Sequence, residues 1–208
     1  MGLRVSIIAY DGIEPIDIGA TYGVLSMARR IAPEISMHVA APTREVVMAQ
    51  GLRLTADRTL EAAGPADVVL VLGGLGWVEA AGNTVILDHV RRAHEAGAVV
   101  ASVCTGAMIL AAAGLFDQRR ATTKREIVAG ETRPLDLLAA RGGVDAIEAR
   151  IVDDGDIVTG GGVSLGHDLT LYLIRRFVGE EAARETARIL EYERAYAANG
   201  AAMAVVGV

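Results

Sequence analysis

Three β-rich, mostly apolar runs constrain this chain more than any other feature: Leu3 to Ala9, Ala66 to Leu72 and Ala98 to Val103. Each stops abruptly in a loop and is followed by residues of helical spacing. A run without polar alternation buries both of its faces, and helices on the two sides of a parallel sheet are what cover them. The three loops hold Asp11 to Asp17, Gly73-Gly74-Leu75-Gly76, and Cys104-Thr105-Gly106. After the first, Ile18, Val24, Leu25 and Ala28 give Ile16 to Arg29 a helical face. Asn83 reads as an N-cap for a helix to about Ala96, with Gly97 past its end, and Thr105 to Ala113 reads as a helix closed by Gly114. Such alternation predicts an α/β fold with a doubly wound, mostly parallel sheet.

Shorter signals fill the rest. Ile35 to Ala41 reads as a strand, and Val46 to Met48 with Leu52 to Thr55 as short strands around Gln50-Gly51. Arg120 to Thr123 is a further short strand and Pro134 to Ala140 a helix. Ile147 to Val152 and Asp156 to Thr159 flank Asp154-Gly155, a strong hairpin signal. Leu165 to Val178 and Glu180 to Tyr192 read as two amphipathic helices, followed after Tyr196 by a short Ala/Gly-rich tail. With no linker or internal repeat, residues 1–208 are expected to form a single domain.

The 52% hydrophobic fraction is mostly Ala, Val, Leu and Ile, with only 4% aromatic residues, which suits a sheet buried under helices. A formal charge of −6 argues against a nucleic-acid partner, whose phosphates need clustered Lys and Arg. One cysteine excludes a disulfide within the chain and a thiolate-based zinc site, and points to a reducing cytoplasm. The opening MGLRVSIIAYDG reads as a strand and not as a signal peptide. The longest apolar stretch, Ala98 to Leu115, is interrupted by Ser102, Cys104, Thr105 and two glycines, so no membrane span is expected.

Sites in open α/β sheets form at the carboxyl ends of the strands, which directs attention to the three loops. Cys104 stands where a strand turns sharply into a helix, the geometry that exposes a nucleophile at an elbow. Helix-start N–H groups would favour its thiolate; the plainer reading is an inert buried thiol. Gly73, Gly74 and Gly76, together with the amide of Thr105, are candidates for an oxyanion-type pocket, or simply make a turn. Asp17 is either a helix-start carboxylate or a carboxyl that faces Cys104 and shares a proton with it. Among the histidines, His38 lies in a strand, His89 and His94 read as solvated, and His167 after Gly160-Gly161-Gly162 is a candidate pocket residue. Arg175, Arg176, Arg184 and Arg188 read as a solvated face.

The residues together resemble the ThiJ/PfpI superfamily, which has a class I glutamine amidotransferase-like, flavodoxin-type fold. The resemblance runs from Leu3 to about Leu190. It is carried by Tyr10-Asp11-Gly12 with Ile16-Asp17-Ile18, by Val71-Leu72-Gly73-Gly74-Leu75-Gly76, by Ser102-Val103-Cys104-Thr105-Gly106-Ala107, by Ala113-Gly114-Leu115 with Arg120-Ala121-Thr122-Thr123, and by 160–168. The Cys-Thr-Gly-Ala elbow and the Ala-Thr-Thr segment are most similar to the branch that contains isonitrile hydratases and the sensor domains of AraC-type regulators. What the resemblance implies is Cys104 as nucleophile, Asp17 as acid/base and Thr105 as pocket hydroxyl, hydrating an isonitrile to an N-substituted formamide through a thioimidate. It also implies no metal or organic cofactor, a small-molecule substrate and a homodimer with pockets near the subunit interface.

Departures from the family pattern are specific. Ala20-Thr21 stands where a Gly-Pro pair is usual, Leu72 where a Pro is, Lys124 where this branch often has His, and His167 where an apolar residue is usual. Lys124 and His167 are therefore further pocket candidates. Related glyoxalases place His directly after the cysteine, where this chain has Thr105. A ligand- or oxidation-sensing role is the other alternative, and the tail after Tyr196 is expected to leave no room for a DNA-binding domain.

Overall fold

The three apolar runs become adjacent central strands in a computed structural model that describes residues 2–207. In chain order the first half holds β1 (Arg4–Ile8), α1 (Pro15–Ile18), a π-helical turn (Gly19–Gly23), α2 (Val24–Ala28), β2 (Ser36–Ala41), β3 (Glu45–Val47), β4 (Arg53–Thr55), β5 (Arg58–Thr59), β6 (Val68–Val71), α3 (Trp77–Ala80), α4 (Thr84–Glu95) and β7 (Val99–Ser102). The second half holds α5 (Gly106–Ala112), β8 (Arg119–Ala121), α6 (Pro134–Ala140), β9 (Val144–Ala146), β10 (Ile151–Asp153), β11 (Ile157–Gly160), α7 (Leu165–Phe177), α8 (Glu180–Ile189), α9 (Glu193–Ala202) and β12 (Val205–Val206). Among the described residues the main sheet runs β12-β10-β11-β7-β6-β1-β2-β5, parallel except where β10 meets β11. This is the expected α/β, flavodoxin-like architecture, with helices against both faces.

Chain order reverses at β1, which lies between β2 on one side and β6 on the other. That switch point is where the loops above the strands diverge and leave a crevice. Registers are matched across it: Ile8 pairs with Val71, and Val71 with Ser102. Tyr10, Gly73 and Cys104, each two residues beyond, therefore emerge side by side. Beneath them the strands are fully buried, with Ile7, Ile8, Leu70, Val71, Val100 and Ala101 in the core.

Several expectations are corrected. The helix read over Ile16 to Arg29 is interrupted by the π turn, because Gly19 and Gly23 hold helical geometry weakly and the Thr21 hydroxyl donates back to the Asp17 carbonyl at 2.8 Å. The strand read from Ile147 starts only at Ile151. The tail after Tyr196 lies in α9 and is followed by β12, which adds a parallel strand to β10. Polar links hold this segment: buried Arg150 donates to Asp168 and to the Tyr196 carbonyl, and Asp168 also accepts from Tyr192 and Asn199. Neither helical histidine is simply solvated, since His94 meets Asp156 at 2.6 Å and the Nε2 of His89 is buried. Arg176 is no free surface charge either, because it clamps Asp153.

Candidate active site

Cys104 follows β7 with φ of 54°, the left-handed region that a side chain enters only when its surroundings force it. The forcing contacts are identifiable. Its N–H donates to the Gly161 carbonyl at 3.1 Å, and its own carbonyl accepts from the Thr123 hydroxyl at 2.7 Å. Both partners lie on neighbouring loops, so the elbow is clamped by the fold around it. Gly106 completes the turn because an added Cβ would sit 2.4 Å from the Val71 carbonyl oxygen.

The backbone amides of Val163 and Thr105 face the sulfur and favour its charged form, as does the charge of Lys124. Burial outweighs them. Cys104 is only 3% exposed and the nearby carboxyl of Asp17 opposes a second negative charge, so the thiol is pushed up to about 12. The thiolate expected from the helix start is therefore corrected: at rest the group is a thiol.

Asp17 is fully buried on α1, where its Oδ2 accepts from the Gly73 N–H at 2.9 Å and its Oδ1 has no hydrogen-bond partner. Burial raises this carboxyl to about 7, against the pull of the Gly73 N–H, with Glu14 raising it further and Lys124 lowering it. The charge of Asp17 reaches Cys104, and Gly73, whose N–H binds Asp17, lies against Cys104, where an added Cβ would be 2.6 Å from the Cys104 Cβ. Beside them Tyr10, also buried, donates its hydroxyl to the Leu72 carbonyl at 2.9 Å.

Thr105 is committed elsewhere. Its hydroxyl accepts from the Gly74 N–H at 2.9 Å and donates to the Gly74 carbonyl at 3.2 Å. Gly74 is accordingly not a free oxyanion donor, and the amides aimed at the sulfur belong to Thr105 and Val163. Gly73, Gly74 and Gly76 are glycines because the loops interpenetrate: added Cβ atoms would lie 2.5 Å from the Thr105 nitrogen, 2.2 Å from the Gly12 oxygen and 2.0 Å from the Asp11 oxygen, respectively. Val163 was not legible as a site residue. Its only signal is the Gly160-Gly161-Gly162 run before it, which leads into a residue with φ of 57°.

Of the two remaining candidates, Lys124 packs its stem on Gly162 beside the site. His167 instead stacks on Tyr192 with ring centroids 5.0 Å apart, and its Nδ1 lies 3.0 Å from the Ser164 carbonyl. A groove of about 1020 Å³ is remote from the elbow, lined among others by Arg4, His89, Val99 and Phe177 at the opposite end of the strands. Its size does not make it the reactive site, since the strained cysteine and raised carboxyl lie elsewhere. Among the described residues no cluster of three or more His, Cys, Asp or Glu side chains is arranged to hold a metal.

Comparison with known proteins matches the sequence model of the DJ-1/PfpI family to residues 3–176. Isonitrile hydratase from Pseudomonas putida is 31% identical over 193 residues, which cover 92% of this chain and 79% of the hydratase. A ThiJ/PfpI family protein from Pseudomonas syringae superposes with a TM-score of 0.79 at 23% identity, over 93% of this chain and 76% of its own. A DJ-1 superfamily protein from Salmonella typhimurium gives a TM-score of 0.76 at 26% identity, over 91% and 98% of the two chains.

Proposed function

The chain belongs to the DJ-1/PfpI family, and we propose that it acts there as an isonitrile hydratase-like enzyme, converting R–NC to R–NH–CHO through a thioimidate on Cys104. The observation that carries the reading is the buried pair itself. A carboxyl that keeps its proton to about pH 7 stands beside a thiol that keeps its own to about 12, so near neutrality the two groups hold one proton between them once the first is lost. The similarity to a hydratase over most of the chain supports the same chemistry.

The steps balance with that single proton. With the proton on Asp17 and the electron pair on sulfur, Cys104 forms a C–S bond to the terminal isonitrile carbon while Asp17 protonates the same carbon, giving R–N=CH–S–Cys104 and an Asp17 carboxylate. Asp17 then takes a proton from water as the oxygen adds to the thioimidate carbon. The C–S bond breaks, the nitrogen takes the second proton of that water, and the formamide leaves with the starting pair restored. The amides of Thr105 and Val163 stabilise negative charge on the departing sulfur. The cycle calls on no metal or organic cofactor. A glyoxalase-type partner beside the cysteine is replaced by Thr105, whose hydroxyl is tied to Gly74.

A homodimer in the cytoplasm is part of the same proposal. Its central test is formamide production from cyclohexyl isocyanide by the wild type, Cys104→Ala and Asp17→Asn, followed by mass spectrometry. Product from the wild type, none from Cys104→Ala and about a hundredfold less from Asp17→Asn is expected. Equal product from Cys104→Ala would remove the covalent mechanism.

A further inference from the structure

Lys124 is the one lysine of the chain, set against nineteen arginines. It immediately follows Thr123, whose hydroxyl donates to the Cys104 carbonyl. Its stem lies on Gly162, where an added Cβ would be 2.7 Å from Lys124 Cγ and 2.9 Å from Lys124 Cβ. Gly162 precedes Val163, whose amide faces the sulfur. Half-buried Lys124 is thereby fixed between two segments that both grip the nucleophile.

The ammonium has no anion of its own. Among the described residues Lys124 enters no ion pair, and its Nζ donates to the Glu126 backbone carbonyl, a neutral acceptor. Its charge nevertheless reaches both Asp17 and Cys104, and Glu14 is the other ionic side chain that reaches Asp17. The site therefore combines a buried carboxyl oxygen without a hydrogen-bond partner, Asp17 Oδ1, with a cation that lacks a carboxylate. A lysine ammonium is a compact charge on a flexible stem that can follow a ligand, whereas a guanidinium presents a rigid planar fork. In a chain whose other basic positions are all arginine, this distinction falls at the site alone.

We propose that Lys124 is the anion anchor of this site, so that its substrates are small electrophiles carrying a carboxylate. Resting on the hydratase reading, these are isonitriles whose R group ends in a carboxylate. The anchor contacts the substrate's carboxylate while the terminal carbon meets Cys104. A charge-assisted hydrogen bond of this kind favours the anion over a neutral isostere by about tenfold or more.

The test uses two matched pairs of probes on the wild type, Lys124→Met and Lys124→Arg. One pair is isocyanoacetate and its methyl ester, read as formamide formation; the other is iodoacetate and iodoacetamide, read as alkylation of the single cysteine by mass spectrometry. The expected result is an anion-over-neutral ratio that drops at least about tenfold in Lys124→Met, through KM for the isonitrile, and drops less in Lys124→Arg, which keeps the charge but not the compact head. A ratio unmoved in Lys124→Met overturns the anchor. So does an equal drop for anionic and neutral probes, which would show that the lysine acts only on the thiol. Should neither isonitrile turn over while the alkylation ratio still responds, the anchor stands and the hydratase reading falls. Turnover of both isonitriles with an unresponsive ratio gives the reverse.

Discussion

The carboxyl of Asp17 is destabilising in the form that the proposed chemistry uses. Unfolded, it loses its proton near 3.9; folded, it holds it to about 7. The folded state thus binds more protons between those values, and stability is full below about pH 4, declines as pH rises toward 7, and is level beyond. The ceiling on the loss is about 4 kcal/mol. Asp17→Asn removes the ionisation while keeping an acceptor for the Gly73 N–H. The variant is expected to be about 2 kcal/mol more stable than wild type at pH 8 and no more stable at pH 3, measured by urea unfolding at both values. A gain that persists at pH 3 would place the effect outside the ionisation. The same pair predicts the rate profile. If the singly protonated pair reacts, kcat/KM rises about tenfold per pH unit up to about pH 7 and then levels, and Asp17→Asn abolishes the break while lowering the rate by about a hundredfold or more. A profile that falls above pH 7 would instead assign the reaction to the doubly protonated pair.

Glycines separate the elements that carry the site from those that merely lead to it. At Gly73 and Gly106 an added Cβ meets backbone atoms at 2.5 and 2.4 Å, and backbone cannot move without displacing the elbow. Gly73→Ala and Gly106→Ala are each expected to cost about 2 to 4 kcal/mol and to slow iodoacetamide labelling of Cys104. Gly23 has helical φ and ψ, with nothing near its Cβ position, so Gly23→Ala is expected to stabilise by about 0.5 to 1 kcal/mol. Thermal unfolding of the three variants checks the contrast. The strands under the elbow are legible because burial on both faces writes an uninterrupted apolar run, as in 68–71 and 99–101. Cys104 is legible because it sits just past such a run, and Asp17 because it opens the helix after the loop that follows another. The hydrogen bonding of Thr105 with Gly74 is not, because loop interpenetration leaves no periodic trace, and the same holds for Val163. Helix α9 leaves no apolar stripe in the sequence because none of its residues is buried and Arg150 and Asp168, far back in sequence, anchor it.

At the scale of the whole molecule, the loops that hold Asp17 are stitched into one surface that extends past the reactive pair. Gly12 N–H donates to the Val47 carbonyl at 2.7 Å, Ala49 N–H to the Ile13 carbonyl at 2.8 Å, and Gly76 N–H to the Gly12 carbonyl at 3.2 Å, while Ile13 bridges to Gly74. On this surface Ile16, Val47, Leu52, Leu75 and Val78 are all exposed, Leu52 by 56% and Leu75 by 69%. Apolar side chains gathered on adjoining segments mark an association surface more often than a solvated one. A two-fold axis through such a patch lets each copy cover the same residues of the other. This is the surface on which the proposed homodimer is argued to form. The wild type is then expected to sediment near twice the 21.7 kDa of one chain, and the double variant Leu52→Asp with Leu75→Asp near the single-chain mass, with its circular dichroism unchanged. Two added carboxylates in each half of the patch would be buried without partners, so the single-chain mass is the expectation. A wild type that sediments as one chain would remove the dimer from the proposal and leave the chemistry of Cys104 and Asp17 to a single subunit.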